Sequence, residues 1–238
     1  MPDEIWYADD LLPTENAVQE IAKATTRSIE NVQAEVNAEV RGKVLINLPD
    51  WARVTDTANL LTSNRAADFY RVRLGFQFEL TPAAQHAHAQ FVYAVCAAQL
   101  RSATDSAEQP RVYEMYPRDY YEKDKPPTAT FELGPEITLD KVGASLGKIS
   151  GDIALGQLEP VVVGFPGAEE RAPRWELRPQ SKTLIGIRYL WFLLQVPHTC
   201  QGARLAVRAD GDIQTRLGRI AIGPKERVLD KRPSVLIR

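Results

Sequence analysis

Residues 69–80 alternate without a break: Tyr70, Val72, Leu74, Phe76, Phe78 and Leu80 fall on one side of an extended chain, and Arg71, Arg73, Gln77 and Glu79 on the other. Successive side chains of a strand point to opposite faces, so this spacing predicts a β-strand with one face on a core and the other in water. A strand of that kind needs neighbours, and the sequence supplies them. Lys43–Leu48 reads as a short strand stopped by Pro49, and Val112–Tyr116, Thr130–Leu133, Ile137–Leu139, Leu158–Phe165 and Trp175–Leu177 follow it. Thr183–Val196, Arg204–Ala209, Ile213–Ile222 and Ser234–Ile237 complete the set. Turn signals separate these runs at Pro126-Pro127, Gly134-Pro135, Pro166-Gly167, Asp210-Gly211 and Gly223-Pro224, and Asp210-Gly211 between two alternating runs predicts a tight hairpin.

The stretch 81–101 is open to two readings. Thr81-Pro82 is a good helix start in an Ala-rich context, while Phe91, Tyr93 and Val95 alternate with Val92, Ala94 and Cys96 as a doubly buried strand would. With strands on both sides, a strand over about 89–100 is preferred. No helices alternate with the strands, which argues against a doubly wound α/β fold. The expected fold is mainly β, a β-sandwich or open barrel of Ig-like or Greek-key type.

Before Gly42 the period is different. Thr14 can cap a helix over residues 14–40, whose apolar row is Val18, Ile21, Ile29, Val32, Val36 and Val40, with Thr25 completing it. The steps of three and four make an 11-residue repeat, a nearly straight seam. The row is narrow and the other faces are charged, which suits docking on one partner surface. The expectation is one long amphipathic arm over 1–42, then a β-rich domain over 43–238 with a sub-boundary available near 122–128.

Charge is unevenly placed. Residues 1–40 carry nine acidic and two basic side chains, and residues 171–238 carry five acidic and 14 basic. An acidic head and a basic tail allow head-to-tail association, an intramolecular contact, or nucleic-acid contact at the tail. Two cysteines, Cys96 and Cys200, in a chain of 238 residues point to a reducing compartment. With no basic and apolar signal at the start and no apolar run near membrane-span length, the expected location is cytoplasmic, with no membrane partner.

Four motifs bear on chemistry. Gly143-Ala144-Ser145-Leu146-Gly147 matches a nucleophile elbow, with His198 the one histidine after it, yet no good helix follows and no oxyanion segment precedes. His86 with His88, and His198 with Cys200, have chelating spacing for Zn²⁺ on strands, but nothing in the sequence brings the pairs together. The stretch Tyr116, Arg118, Tyr120 and Tyr121 offers rigid aromatic area beside a cation, as binding surfaces do. Residues 137–165 interleave glycines with Ile149, Ile153 and Leu155, an alternation that a pore-lining β-hairpin uses. Phosphate-binding and dinucleotide-binding glycine loops, Cys-x-x-Cys pairs and His-Glu-x-x-His are absent from the sequence.

The sequence therefore predicts a non-enzymatic interaction or assembly module without a cofactor, self-associating or docking a protein through Val18, Ile21, Ile29, Val32, Val36 and Val40 and the Tyr116–Tyr121 stretch. A membrane-active or pore-forming effector using 137–165 is the alternative, and a serine hydrolase centred on Ser145 is a further one.

Overall fold

The computed structural model describes residues 4–55, 66–117, 119–120, 128–129, 153–154, 160–179, 184, 186–226 and 228–238. In chain order the elements are β1 (Ile5–Pro13), α1 (Glu15–Thr25), α2 (Ile29–Glu39), β2 (Gly42–Asn47), β3 (Asp50–Arg53), β4 (Ala67–Leu80), α3 (Pro82–His86) and β5 (Gln90–Ser102). Then come β6 (Arg111–Tyr116), β7 (Asp119–Tyr120), β8 (Thr128–Ala129), β9 (Ile153–Ala154), β10 (Pro160–Phe165) and β11 (Arg174–Pro179). The chain finishes with β12 (Ile187–Pro197), β13 (Ala203–Thr215), β14 (Gly218–Pro224) and β15 (Ser234–Ile237).

Thirteen of these strands form one antiparallel sheet whose main path runs β6-β12-β4-β2-β1-β14-β13-β5-β11-β10-β7. Its two ends, β6 and β7, are joined in sequence by Pro117 and Arg118 alone. The sheet therefore curls until its edges approach, and the mainly β expectation resolves into a nearly closed, barrel-like sheet. Its interior is filled by the alternating rows: Val72, Leu74 and Phe76 from β4 are each 1% exposed or less, as are Leu177, Leu194, Leu205 and Ile213 from other strands. Contacts between rings tie strands that are not neighbours in the sheet, with Phe78 5.4 Å from Phe91 and Trp175 6.3 Å from Phe192.

The N-terminal region departs from the expected single long helix. It is a strand followed by two short helices. The break has a local cause. Thr25 turns its hydroxyl back to the Ile21 carbonyl (2.7 Å), Thr26 adopts the left-handed region at φ 54°, and Ser28 starts the second helix by accepting from the Asn31 amide. The break rotates the apolar row, so Val18, Val32, Val36 and Val40 enter the same core cluster as the sheet while Ile29 is left 51% exposed. The seam is covered by the protein's own sheet.

Between 81 and 102 both signals are used in turn. Thr81 caps the one-turn α3 by accepting from the Ala84 amide, and β5 follows. The hairpin expected at Asp210-Gly211 is not there. β13 runs straight through those residues, and the turn comes at Arg216-Leu217, between the facing pair Thr215 and Gly218. Gly211 is needed for close approach, since a Cβ there would lie 2.8 Å from the Tyr93 carbonyl oxygen.

Candidate functional site

The polar side of β4 carries more than solvation. Register places Arg73 opposite Trp191 of β12 and opposite Asp50 of β3, and Trp191 opposite Tyr116 of β6. Residues facing one another across a ladder share a face, so Asp50, Arg73, Trp191 and Tyr116 form one row on the outside of the sheet. The Arg71 guanidinium lies 4.9 Å from the centre of the Trp191 ring, and that of Arg73 lies 5.7 Å from it and 4.9 Å from Tyr189. Cations and rings thus alternate along the face, each in cation–π range. Arg73 also approaches Asp50 at 3.4 Å. Burial holds the Arg71 guanidinium below its ordinary value, with Asp50 opposing that shift and Arg73 reinforcing it. Nε of Arg71 and Nε1 of Trp191 are both shielded from solvent and have no hydrogen-bond acceptor among the described residues. Sequence reading had these arginines as a water-facing row and did not pair them with Trp191, because only strand register joins positions 120 residues apart.

A second arrangement frames the segment 121–159. Asp119 of β7 stands opposite Val163 and Tyr120 opposite Val162 of β10, while Thr128 of β8 stands opposite Ala154 and Ala129 opposite Ile153 of β9. Each step forward on one strand is a step back on the other, and the same count links all four pairs. The two ladders share a single register.

The remaining predicted residues are scattered. Tyr116 joins the row described above and Tyr120 pairs on β7, at opposite edges of the sheet path, while Arg118 and Tyr121 lie outside the described residues. Ser145 also lies outside them. Its expected partner His198 sits exposed in a turn, 3.4 Å from Asp68, so the described residues assemble no triad. His86 bonds through Nδ1 to the Pro82 carbonyl, and the buried Cys200 thiol donates to the Glu108 carbonyl. Among the described residues no three His, Cys, Asp or Glu side chains gather as a metal site, so His86, His88, His198 and Cys200 are not brought together. Of the Gly-rich stretch 137–165, Pro160–Phe165 belongs to the main sheet as β10.

The acidic head and basic tail meet within the molecule. Arg216 reaches Glu35 at 3.4 Å, and Arg232 pairs with Asp9. Arg219 pairs with Asp212 at 2.6 Å and Arg208 with Asp210 at 3.2 Å. Much of the tail charge offered to nucleic acid or to a neighbour is thus engaged locally.

No protein-family model matches the chain, and no curated protein matches it. Solved structures do. Clostridium perfringens delta-toxin aligns with TM-score 0.40 and 7% identity, over 83% of this chain and 88% of that one. The Clostridium perfringens NetB toxin in the membrane inserted form aligns with TM-score 0.36 and 7% identity, over 83% and 86%. These neighbours are toxins, one of them membrane-inserted, and they run against the expected cytoplasmic, non-enzymatic docking module with no membrane partner. That reading, the cytoplasmic location and the exclusion of membranes are withdrawn. At such scores the likeness carries no argument about this chain's activity, which is read below from its own residues. No helix among the described residues is long and apolar enough to cross a membrane, which leaves strands untouched.

Proposed function

We propose that this chain is a membrane-active protein that perforates lipid bilayers by inserting residues 128–154 as an amphipathic β-hairpin, with the curled sheet, read as an open barrel, holding the hairpin's base. The observation that carries this reading is the single register shared by the β7–β10 and β8–β9 ladders. Continued toward the middle of the segment, that register sets odd positions opposite odd ones and even opposite even.

The sequence divides along the same line. Odd positions give Ala129, Phe131, Leu133, Pro135, Ile137 and Leu139 on the way out, and Gly143, Ser145, Gly147, Ile149, Gly151 and Ile153 on the way back. Even positions carry Glu132, Glu136, Asp140, Lys148 and Asp152, and the one charged residue at an odd position is Lys141, at the midpoint where a turn belongs. One face is thus free of charge and the other carries it. A membrane strand needs this division, with lipid on one side and a polar lumen on the other. Each arm supplies about 40 Å of extended chain, and about 30 Å once tilted, enough for the hydrocarbon core.

A lone hairpin in lipid would leave two strand edges with unmet backbone groups, at a cost of several kcal/mol for each group. Several copies must therefore close a barrel together, two strands from each, which makes the functional unit a homo-oligomer.

Dye release from vesicles tests the reading. Wild-type protein should release the dye, Leu133→Asp and Ile149→Asp should abolish release, and Thr130→Asp and Ser150→Asp should preserve most of it. Equal loss from both pairs, or no release by the wild type, overturns the proposal.

A further inference from the structure

We propose that Arg188 is an unpaired cation in the core that weakens the packing of the β5–β11–β10 edge against β4 and β12, so that this edge is poised to open. Its link to insertion rests on the membrane-active reading, in which β10 holds the hairpin's base.

Strand alternation puts Arg188 on the inner side of β12. It shares a face with Leu190, Phe192 and Leu194, stands opposite the wholly buried Phe76, and is 8% exposed. Arg232, buried as deeply, has Asp9 as its counter-ion. Arg188 has none among the described residues. Its guanidinium makes one hydrogen bond there, at 3.4 Å from Nη1 to the carbonyl of its own neighbour Ile187, and Nε is shielded from solvent with no acceptor. The carboxylates on the strands across the core face outward, where Glu176 pairs with Arg174 and Arg178, and Asp210 with Arg208. A guanidinium taken out of water without a partner gives up hydration that an apolar core does not return.

The register shows which strands bear that cost. Across the core the charge of Arg188 acts on Cys96 of β5, whose thiol burial raises well above its ordinary value, so it stays neutral and supplies no counter-charge. Burial also pushes the Arg188 guanidinium down to about 10, which leaves it charged at neutral pH. Cys96 stands opposite Trp175 of β11, and Trp175 opposite Gly164 of β10. The Trp175 ring lies 6.3 Å from Phe192 of β12, and its Nε1 is likewise buried with no acceptor among the described residues. An unmet donor thus lies on each side of the β11–β12 contact. Parting that contact admits water to both, so opening recovers what closure gave up.

Amide hydrogen exchange and urea unfolding test this without a membrane. Arg188→Met keeps most of the side chain's length and removes the charge. It should raise the urea midpoint by about 0.5–1 M and slow exchange across β10 and β11 about tenfold. Leu190→Met, two residues along the same face, should do neither. A midpoint that falls, or a variant that fails to fold, would show that the core needs the cation and overturns the proposal. A raised midpoint with β10 and β11 exchanging as before would confine the charge's effect to global unfolding, and overturns it too. On vesicles Arg188→Met should release dye several-fold more slowly than the wild type. Release at the wild-type rate, with the edge slowed, overturns the role of Arg188 in insertion. Wild-type protein that releases no dye sinks the membrane-active reading instead, and hydrogen exchange then decides the role of Arg188 in the fold by itself.

Discussion

Arg232, near the end of the chain, stacks 5.2 Å from the ring centre of Tyr7, near its beginning, and donates to the tyrosine oxygen at 3.2 Å. The same guanidinium pairs with Asp9 and donates to the carbonyls of Val207 and Glu226 at 2.8 Å each. Burial works against its charge, and the bonds to Tyr7 and Asp9 outweigh that and raise its pKa. One side chain thus fastens β1, β13 and the C-terminal segment together.

Arg232→Met should therefore destabilise the fold by about 3 kcal/mol, because it removes a buried cation and strands its partners. Urea unfolding of the variant beside the wild type measures this. An unchanged midpoint would show that the hub is ornamental.

Tyr7 gives the molecule an alkaline limit. Burial pushes its phenol up to about 12 from an ordinary value near 10. The folded state then holds its proton while the unfolded chain has lost it, so this stabilisation is complete below pH 10 and is lost as pH rises toward 12. The decline should amount to about 2–3 kcal/mol. Tyr70 and Tyr93 are shifted in the same direction, also mainly by burial. Unfolding midpoints at pH 9, 10 and 11 should fall steadily for the wild type and less steeply for Tyr7→Phe. Parallel slopes would refute the assignment.

Two glycines on strands separate backbone from side-chain crowding. A Cβ at Gly211 would meet the Tyr93 carbonyl at 2.8 Å, whereas one at Gly75 would meet the Asn47 side chain at 3.0 Å. A carbonyl held in a ladder cannot move aside, and an asparagine can. Gly211→Ala should cost about 1–3 kcal/mol and Gly75→Ala clearly less, read from thermal melts.

The N-terminal helices can be probed in the same way. Val36 is wholly buried and Ile29 half exposed, so Val36→Asp should unfold the protein and Ile29→Asp should leave its melting temperature within a degree or two. Equal effects would restore the continuous seam that the sequence suggested.

The shared register is open to cross-linking. Thr128 and Ala154 face one another, and cysteines placed at both positions should form a disulfide. If the hairpin keeps this register on insertion, the cross-linked protein should release dye as fast as its reduced form. Release only after reduction would mean that the pairing must break first.

The sequence by itself determined the periods. Alternation along β4 named the buried Tyr70, Val72, Leu74, Phe76 and Phe78, and the alternation of Phe91, Tyr93 and Val95 placed a strand over about 89–100, where β5 runs Gln90–Ser102. These are local properties of side-chain direction, and they need no knowledge of the partner. Register, by contrast, belongs to pairs of distant segments. The sequence could not show that Trp191 lies beside Arg73, or that Arg232 reaches Asp9, because strand order and the curl of the sheet bring them together. It also missed the break at Thr26 and the passage of β13 through Asp210-Gly211. In the first case a back-bonded threonine and a capping serine overrode a regular apolar row, and in the second a neighbouring carbonyl, not a turn, required the glycine. Charge followed the same rule: the head-to-tail asymmetry is plain in the sequence, and only the folded chain, by placing Arg216 against Glu35 and Arg232 against Asp9, turned it inward.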